Sequence, residues 1–576
     1  MITEILYFPA LLLILGGLIL SVIPRNLRSI AFIVFPVLAL GIVFSLPNGF
    51  SITANFASYE LTLVHIDALN RVFAIIFTLI AVVGGIFAYH ISDKTQQISA
   101  LVYAGGALGV TFAGDWLSLF VFWEIMAVSS TFLIWAQKDR DSGDVGLRYL
   151  LVHIFGGGLL FAGILLHIAE TGSILITALP NVYTLSSVLI LLGVAVNAAV
   201  PPLHAWLADA YPKATITGSV FMSAFTTKSA IYVMIRVFPE WDILIWVGVF
   251  MALYGTIFAL LSNDIRQILA YSIISQLGYM VTAIGIGSEM AINGAVAHAF
   301  GHILYKSLLF MGAGAVIYAT GKSRLSELGG LAHKMKWVLG FYMIGAFSIS
   351  GFPLFNGFIS KTMIMSAIGD AHFEWVMLLF LVASVGSYLH SGLKLPYFTW
   401  FGNKKHADIS FVEVPVNMKV AMGIGGILCI TFGLFPSLIY GILPYATNYQ
   451  PYSVYHLVEM TQILVVGFVL FWFLKDKLNI TSNVLLDTDW FYRKPARLIK
   501  EATVFGTDRT FDKAELAILS IRKWASIQFL NPMLWLNPFS NKNNRSSTYN
   551  PGIEVVLNFV LMLFVLFSLV FIFITS

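Results

Sequence analysis

VAVNAAVPPLHAWLADAYPKATITGSVFMSAFTTK, residues 194–228, decides how the rest of the chain is read. An apolar helix is interrupted at Pro201-Pro202; His204, Trp206 and Asp209 follow at once, and a second apolar helix carries Lys228 in its middle. Proline lacks a backbone donor and clashes with the preceding turn, so the first helix must break there. At membrane depth such a break is tolerated only inside protein or beside a watery cavity, because lipid cannot satisfy exposed backbone. Broken helices beside intramembrane charges are where transporters place ion sites. The chain makes the same move at Ser350-Gly351-Phe352-Pro353, with Lys361 eight residues beyond the proline. Two breaks with buried charges point to an ion path.

The membrane reading follows from composition. Of 576 residues, 58% are hydrophobic and only 11% charged, against about 25% charged in soluble domains. The expected fold is an all-α polytopic membrane protein. Spans of ~20 apolar residues fall at 5–22, 28–46, 69–91, 98–114, 116–136, 147–169, 184–210, 216–238, 242–262, 268–287, 291–318, 338–366, 374–395, 417–441, 456–474 and 552–575, sixteen in all. The first reads as a span and not a cleaved signal: Glu4 stands where a basic region belongs, and no small-residue cleavage site follows. Cys429, the single cysteine, excludes a disulfide framework, an iron–sulfur cluster and a cysteine-ligated zinc within this chain. The net charge of +4 comes from loop residues and gives no reason to expect nucleic acid as a partner.

Loops after odd-numbered spans hold 27 of the 33 lysines and arginines, and those after even-numbered spans hold only Arg71 and Arg236. By the positive-inside rule the odd loops are cytoplasmic and both termini outside, with the chain multi-pass in a bacterial inner (plasma) membrane. The expected organisation is N-terminal helices with an outer hairpin at 50–66 (1–97), a first five-helix repeat (98–238), a second (239–395), peripheral helices (396–475), a cytoplasmic linker (476–551) and a final span (552–576). Aligning Pro202-Leu203 with Pro353-Leu354 suggests that the two units are inverted repeats. Residues 509–530 place Leu516, Leu519 and Trp524 near one side and Lys513, Arg522 and Lys523 near another, the pattern of an amphipathic helix.

Several ionisable residues sit inside apolar spans. Glu124, mid-span, is costly unless it faces protein or water; it is suited to proton exchange, the alternative being a helix-packing hydrogen bond. Lys228 lies too deep to snorkel and is a second proton carrier. His298, His302 and Lys306 recur at every fourth position and form one polar stripe. Two histidines one turn apart could also bind zinc, but no acidic partner accompanies them, so relay is preferred over metal. Lys361, His390 and Lys394 extend the series, Lys394 being near enough a helix end to be a snorkelling anchor instead. His153 can bridge helices. Asn197, Pro202, His204 and Asp209 flank the first break, where His204 and Asp209 can hydrate or gate it. No nucleophile–base pair, phosphate loop or cofactor fingerprint is present, so no cofactor and no catalytic chemistry in this chain are expected.

At these residues the sequence resembles the antiporter-like subunits shared by Mrp-type cation/proton antiporters, respiratory complex I and membrane-bound hydrogenases. The pieces are FVFWEIM (120–126), PPLHAWLADAYPKA (201–214), FTTKSAIY (225–232), NDIRQILAYSIISQLGY (263–279), AHAFGHILYKSLLFMGAGAV (297–316), LGGL (328–331) and GFPLFNGFISK (351–361), in the family's order across about 65–400. The D-type subunits of sodium/proton antiporters are the nearest likeness, and the late amphipathic segment with the final span is similar to the lateral helix of complex I's distal subunit. The resemblance implies a proton path through Glu124, Lys228, His302, Lys306 and Lys361. It also implies a subunit that moves protons against sodium or another monovalent cation, within a hetero-oligomer of membrane subunits. Alternatives are a redox-driven complex, an inorganic-carbon uptake complex or a non-conducting scaffold. One position departs from the family: Asn197 stands where a lysine usually pairs with the fifth-helix glutamate. An amide can hydrogen-bond Glu124 but supplies no charge. The TITG stretch (215–218) also replaces a turn that usually contains proline. Lys213 is a weak substitute for the lost lysine, being in a loop.

Overall fold

The structure, a computed structural model, describes residues 7–402, 411–478, 487–488, 490–499 and 505–530. It divides into two units, Met1–Asp489 and Trp490–Ser576. In the first, helices α1 (Pro9–Ile19) and α2 (Arg25–Ser45) lead into strands β1 (Ser51–Phe56) and β2 (Tyr59–His65), an antiparallel hairpin with Phe56 opposite Tyr59. Helices α3 (Ala68–Phe87), α4 (Lys94–Phe112), α5 (Trp116–Trp135) and α6 (Ser142–Thr171) follow. The first broken region is α7 (Leu185–Asn197), the short α8 (Ala205–Ala210), α9 (Ile216–Ala224) and α10 (Thr226–Val237). Next come α11 (Asp242–Leu261), α12 (Ile265–Ile286) and α13 (Glu289–Thr320), then α14 (Lys336–Ser350) and α15 (Asn356–Asp370) on either side of the second break. α16 (Glu374–Ser387) runs on as π-helix through Tyr388–Lys394 and Tyr397–Phe401, before α17 (Val416–Leu434), α18 (Ser437–Tyr440) and α19 (Val454–Leu474). The second unit holds α20 (Trp490–Ile499) and α21 (Phe505–Leu530).

Among the described residues, eleven helices are long and apolar enough to cross a membrane. The expected spans at 5–22, 184–210 and 338–366 are met by shorter or interrupted helices, and that at 98–114 by α4, whose start, KTQQ, is polar. The expected span at 552–575 lies outside the described residues. The hairpin is where alternation placed it, and α21 covers the stretch expected to be amphipathic, with residues 509–521 exposed. Two expected continuous helices are not continuous. Residues 216–238 break at Phe225, and the end of 374–395 widens into π-helix around His390 and Lys394. Periodicity carries no signal for either, because the stretches on both sides of each irregularity are still mostly apolar.

Burial orders the layers. The apolar stretch of α12 is wholly buried and that of α13 nearly so, whereas α2 keeps most of its surface outward. A helix apolar on every side belongs at the centre of such a bundle. α11 and α12 approach closely because glycines face each other: a Cβ on Gly278 would lie 2.3 Å from the Gly248 carbonyl oxygen, and one on Gly255 2.4 Å from the Ser275 nitrogen. Small residues at such contacts let backbones meet where lipid offers no hydrophobic drive. Aspartates fix helix starts. Asp115 caps α5 through Ser118 N (2.8 Å) and also accepts from Thr62 N (2.7 Å), tying the hairpin to the bundle.

Candidate functional site

The second break and the interruption at Phe225 free backbone carbonyls, and buried lysines take them. In a regular helix the Ile349 carbonyl would accept from residue 353, but that residue is Pro353 and has no N–H. Lys361 Nζ donates to Ile349 O instead, at 2.8 Å, with Ser384 Oγ at 3.5 Å. Gly351, at φ 80°, turns the chain out of α14 in a conformation that a side chain would strain. Lys228 repeats the arrangement at the Phe225 interruption, donating to Ser223 O (2.6 Å) and Thr227 Oγ1 (3.1 Å). Lys394 donates to Leu260 O (2.5 Å) and Ser262 O (2.8 Å) at the end of α11. All three ammonium groups thus sit at helix C-termini, the negative end of the backbone dipole. The snorkelling reading of Lys394 is overturned: its side chain is buried and turned onto carbonyls inside the protein.

Between these lysines runs α13. His298, His302 and Lys306 are fully buried on it. Lys306 donates to Ser272 Oγ of α12, and His298 Nδ1 meets Ser360 Oγ of α15 at 2.9 Å. His302 lies 6.3 Å from His298 and 5.3 Å from Tyr305, ring centre to ring centre, and neither of its nitrogens meets a hydrogen-bonding group among the described residues. The Tyr279 ring stands between His298, 5.9 Å away, and Lys361 Nζ, 5.3 Å away. Lys228 is close enough to His298, His302 and Lys306 for their charges to interact, and His390 likewise to Lys306, Lys361 and Lys394. His390 Nδ1 is tied to Ser391 Oγ at 2.7 Å. The candidate residues from Lys228 to Lys394 therefore lie buried within electrostatic reach of one another, neighbour to neighbour.

Glu124 stands apart from it. Asn197 does not bond it: Asn197 Oδ1 is engaged by His153 Nδ1 at 2.7 Å. Histidine on α6 takes the amide oxygen instead, which gives His153 a helix-bridging role between α6 and α7. Glu124 packs on Gly157, where a Cβ would lie 1.9 Å from Oε1, and that oxygen meets no donor among the described residues. Beside it is an apolar groove of about 560 Å³ lined also by Thr95, Ser99, Ile125 and Ser129. Lys213 pairs with Asp141 (2.7 Å) and so does not replace the missing lysine. Asp209 is held by Arg148 (2.9 Å).

Sequence reasoning missed the hydroxyls and a distant carboxylate. Tyr149 joins Ser130 (2.9 Å) and packs 4.2 Å from the His153 ring, while Tyr103 joins Thr226 (2.6 Å), two residues before Lys228. Tyrosine in an apolar span gives no sign of its polar use. Asp487, remote in sequence, accepts from Tyr254, Tyr271 and His204 Nε2, the last at 3.2 Å. Burial alone would raise the Asp487 carboxyl, but these bonds outweigh it and hold it below the usual carboxylate range. His204 is thus clamped from outside the break, which Thr488 also touches through Pro202 O at 3.3 Å.

Residues 113–387 match the family model described as NADH:quinone oxidoreductase/Mrp antiporter, transmembrane. The N-type subunit of the NADH-quinone oxidoreductase of Desulforudis audaxviator is 31% identical over 63% of this chain and 79% of its own length. The chain belongs to this family. The A-type subunit of the Na(+)/H(+) antiporter of Alkalihalophilus pseudofirmus is 30% identical over 65% of the chain; the match spans about half, 53%, of that larger relative. Among solved structures, one chain of the Mrp complex of a Dietzia species superposes with a TM-score of 0.74 at 23% identity, covering 97% of this chain and 65% of that one, which shows the shared fold. These relatives place the chain in the antiporter-like family without choosing the D-type subunit.

Proposed function

We propose that the chain is the proton-translocating subunit of a multisubunit sodium/proton antiporter, working beside other membrane subunits. The observation that carries this reading is the buried set from Lys228 through His302 and Lys306 to Lys361, His390 and Lys394. Burying an ammonium costs several kcal/mol, and hydrogen bonds to a charged group return about 1.5–3 kcal/mol each. Lys228, Lys361 and Lys394 bond one or two carbonyls each and Lys306 a hydroxyl, which leaves each charge held at a net cost, a state that suits a carrier better than a clamp. The sodium coupling rests on the kinship with the A-type antiporter subunit. With the lysine-rich loops cytoplasmic, both termini face outward.

A sodium gradient imposed on vesicles containing the complete operon tests the reading. Proton movement without any electron donor is expected. The kinship with a quinone oxidoreductase subunit supports a second reading, a redox-driven pump; proton movement that requires an electron donor and ignores sodium would establish it and overturn the first.

A further inference from the structure

Lys361 needs a way out of the protein, and the structure offers one on α19. Lys361 and Glu459 line the same small cavity, together with Tyr279 and Ser384. Glu459 also lines a second cavity, of about 290 Å³, with Ser366, Asp370, Tyr455 and His456. One carboxylate therefore separates the interior void beside the second break from a cavity at the end of the bundle where α15 finishes. Its side chain is 13% exposed, and that of His456 12%. His456 Nδ1 lies 3.9 Å from Glu459 Oε2. Its other nitrogen, Nε2, meets Tyr449 OH at 3.0 Å and Ser366 Oγ at 3.3 Å. The charged or titratable groups facing Glu459 are Lys361 and Asp370 from α15, Tyr279 from α12, His456 and Tyr455 from its own helix, and Tyr449 from the preceding loop.

We propose that Glu459, seconded by His456, is the proton port that joins Lys361 to the solution on the face opposite the lysine- and arginine-rich loops. An N–H bond of the Lys361 ammonium breaks as an O–H bond forms on Glu459, leaving a neutral amine and a neutral acid. Glu459 then releases the proton to His456 Nδ1 or to water in the outer cavity, returning to a carboxylate. No other reactant is needed, and the step runs in either direction. Because His456 is already bonded on its far side, it can pass a proton outward by exchanging which nitrogen carries it.

The inference rests on the proton-conducting reading, and the control separates the two. In vesicles carrying the complete operon, Glu459→Gln should slow proton flux by about 100-fold, the scale of a lost proton-transfer group, and remove its dependence on outer pH; Glu459→Asp should restore most of it. Glu459→Cys should react with a membrane-impermeant thiol reagent added from that face. Cys429, the one native cysteine, is buried and silent. Wild-type flux and pH dependence in Glu459→Gln, with Lys361→Ala inactive in the same vesicles, would overturn the port and leave conduction standing. If Glu459→Gln fails to assemble, an unlabelled Glu459→Cys overturns it equally. Normal flux in Lys361→Ala would instead sink the conducting reading.

Discussion

At the scale of single residues, the deciding question is what each buried charge touches. Lys361 and Lys228 touch carbonyls released by helix interruptions, and Glu124 touches a glycine. Without a cation beside it among the described residues, Glu124 contributes little: Glu124→Gln should lower proton flux by less than about threefold, no more than one weak hydrogen bond is worth. A loss as large as that from a lysine substitution, measured in the same vesicles, would contradict this. Glu124, the lysines and the histidines were all legible in the sequence because a charge in an apolar span is conspicuous. Their partners were not. The carbonyl under Lys394 belongs to a helix more than a hundred residues away, and only the fold shows that the end of α11 lies there. Asn197 was legible as a departure, yet its engagement by His153 depended on which face of α6 turned inward.

At the scale of helices, two contacts carry testable weight. Gly278→Leu should force α11 and α12 apart, since its Cβ alone would meet the Gly248 carbonyl oxygen at 2.3 Å. Overpacking of this kind costs about 1–3 kcal/mol, and the fall in melting temperature of the purified complex measures it; an unchanged value would mean that the helices part freely. On the hairpin side, Asp67 caps α3 through Asn70 N (2.9 Å) and binds Arg236 of α10 at 2.5 Å. Burial pushes the Asp67 carboxyl up, but Arg236 and the cap hydrogen bond outweigh it and leave it lowered from the ordinary 3.8. A carboxyl lowered by folding stabilises above its unfolded value and loses that contribution as pH falls through the folded one. Stability should therefore drop below about pH 4, and Asp67→Asn should remove part of that drop; identical acid curves would show that the clamp is idle. Proline and glycine announced the breaks at 201 and 351, whereas the interruption at Phe225 has no such residue beside it, and Gly392 and Pro396 near His390 do not by themselves distinguish a π-helix from a helix end.

Across the whole molecule, the polar set spans α10 to the end of α16 through the deeply buried helices α12 and α13. Charges placed at the centre of a bundle, three of them on helix ends, have no structural economy that apolar residues would lack. The proposed proton transfer between them would give that cost a use. The measurement that tests this most directly is sodium-dependent proton flux in vesicles carrying the complete operon, for the native chain, Lys228→Ala and Lys361→Ala. Each substitution should lower flux by at least about 100-fold while the assembled complex stays intact. Native flux in both would contradict it and leave the chain a scaffold.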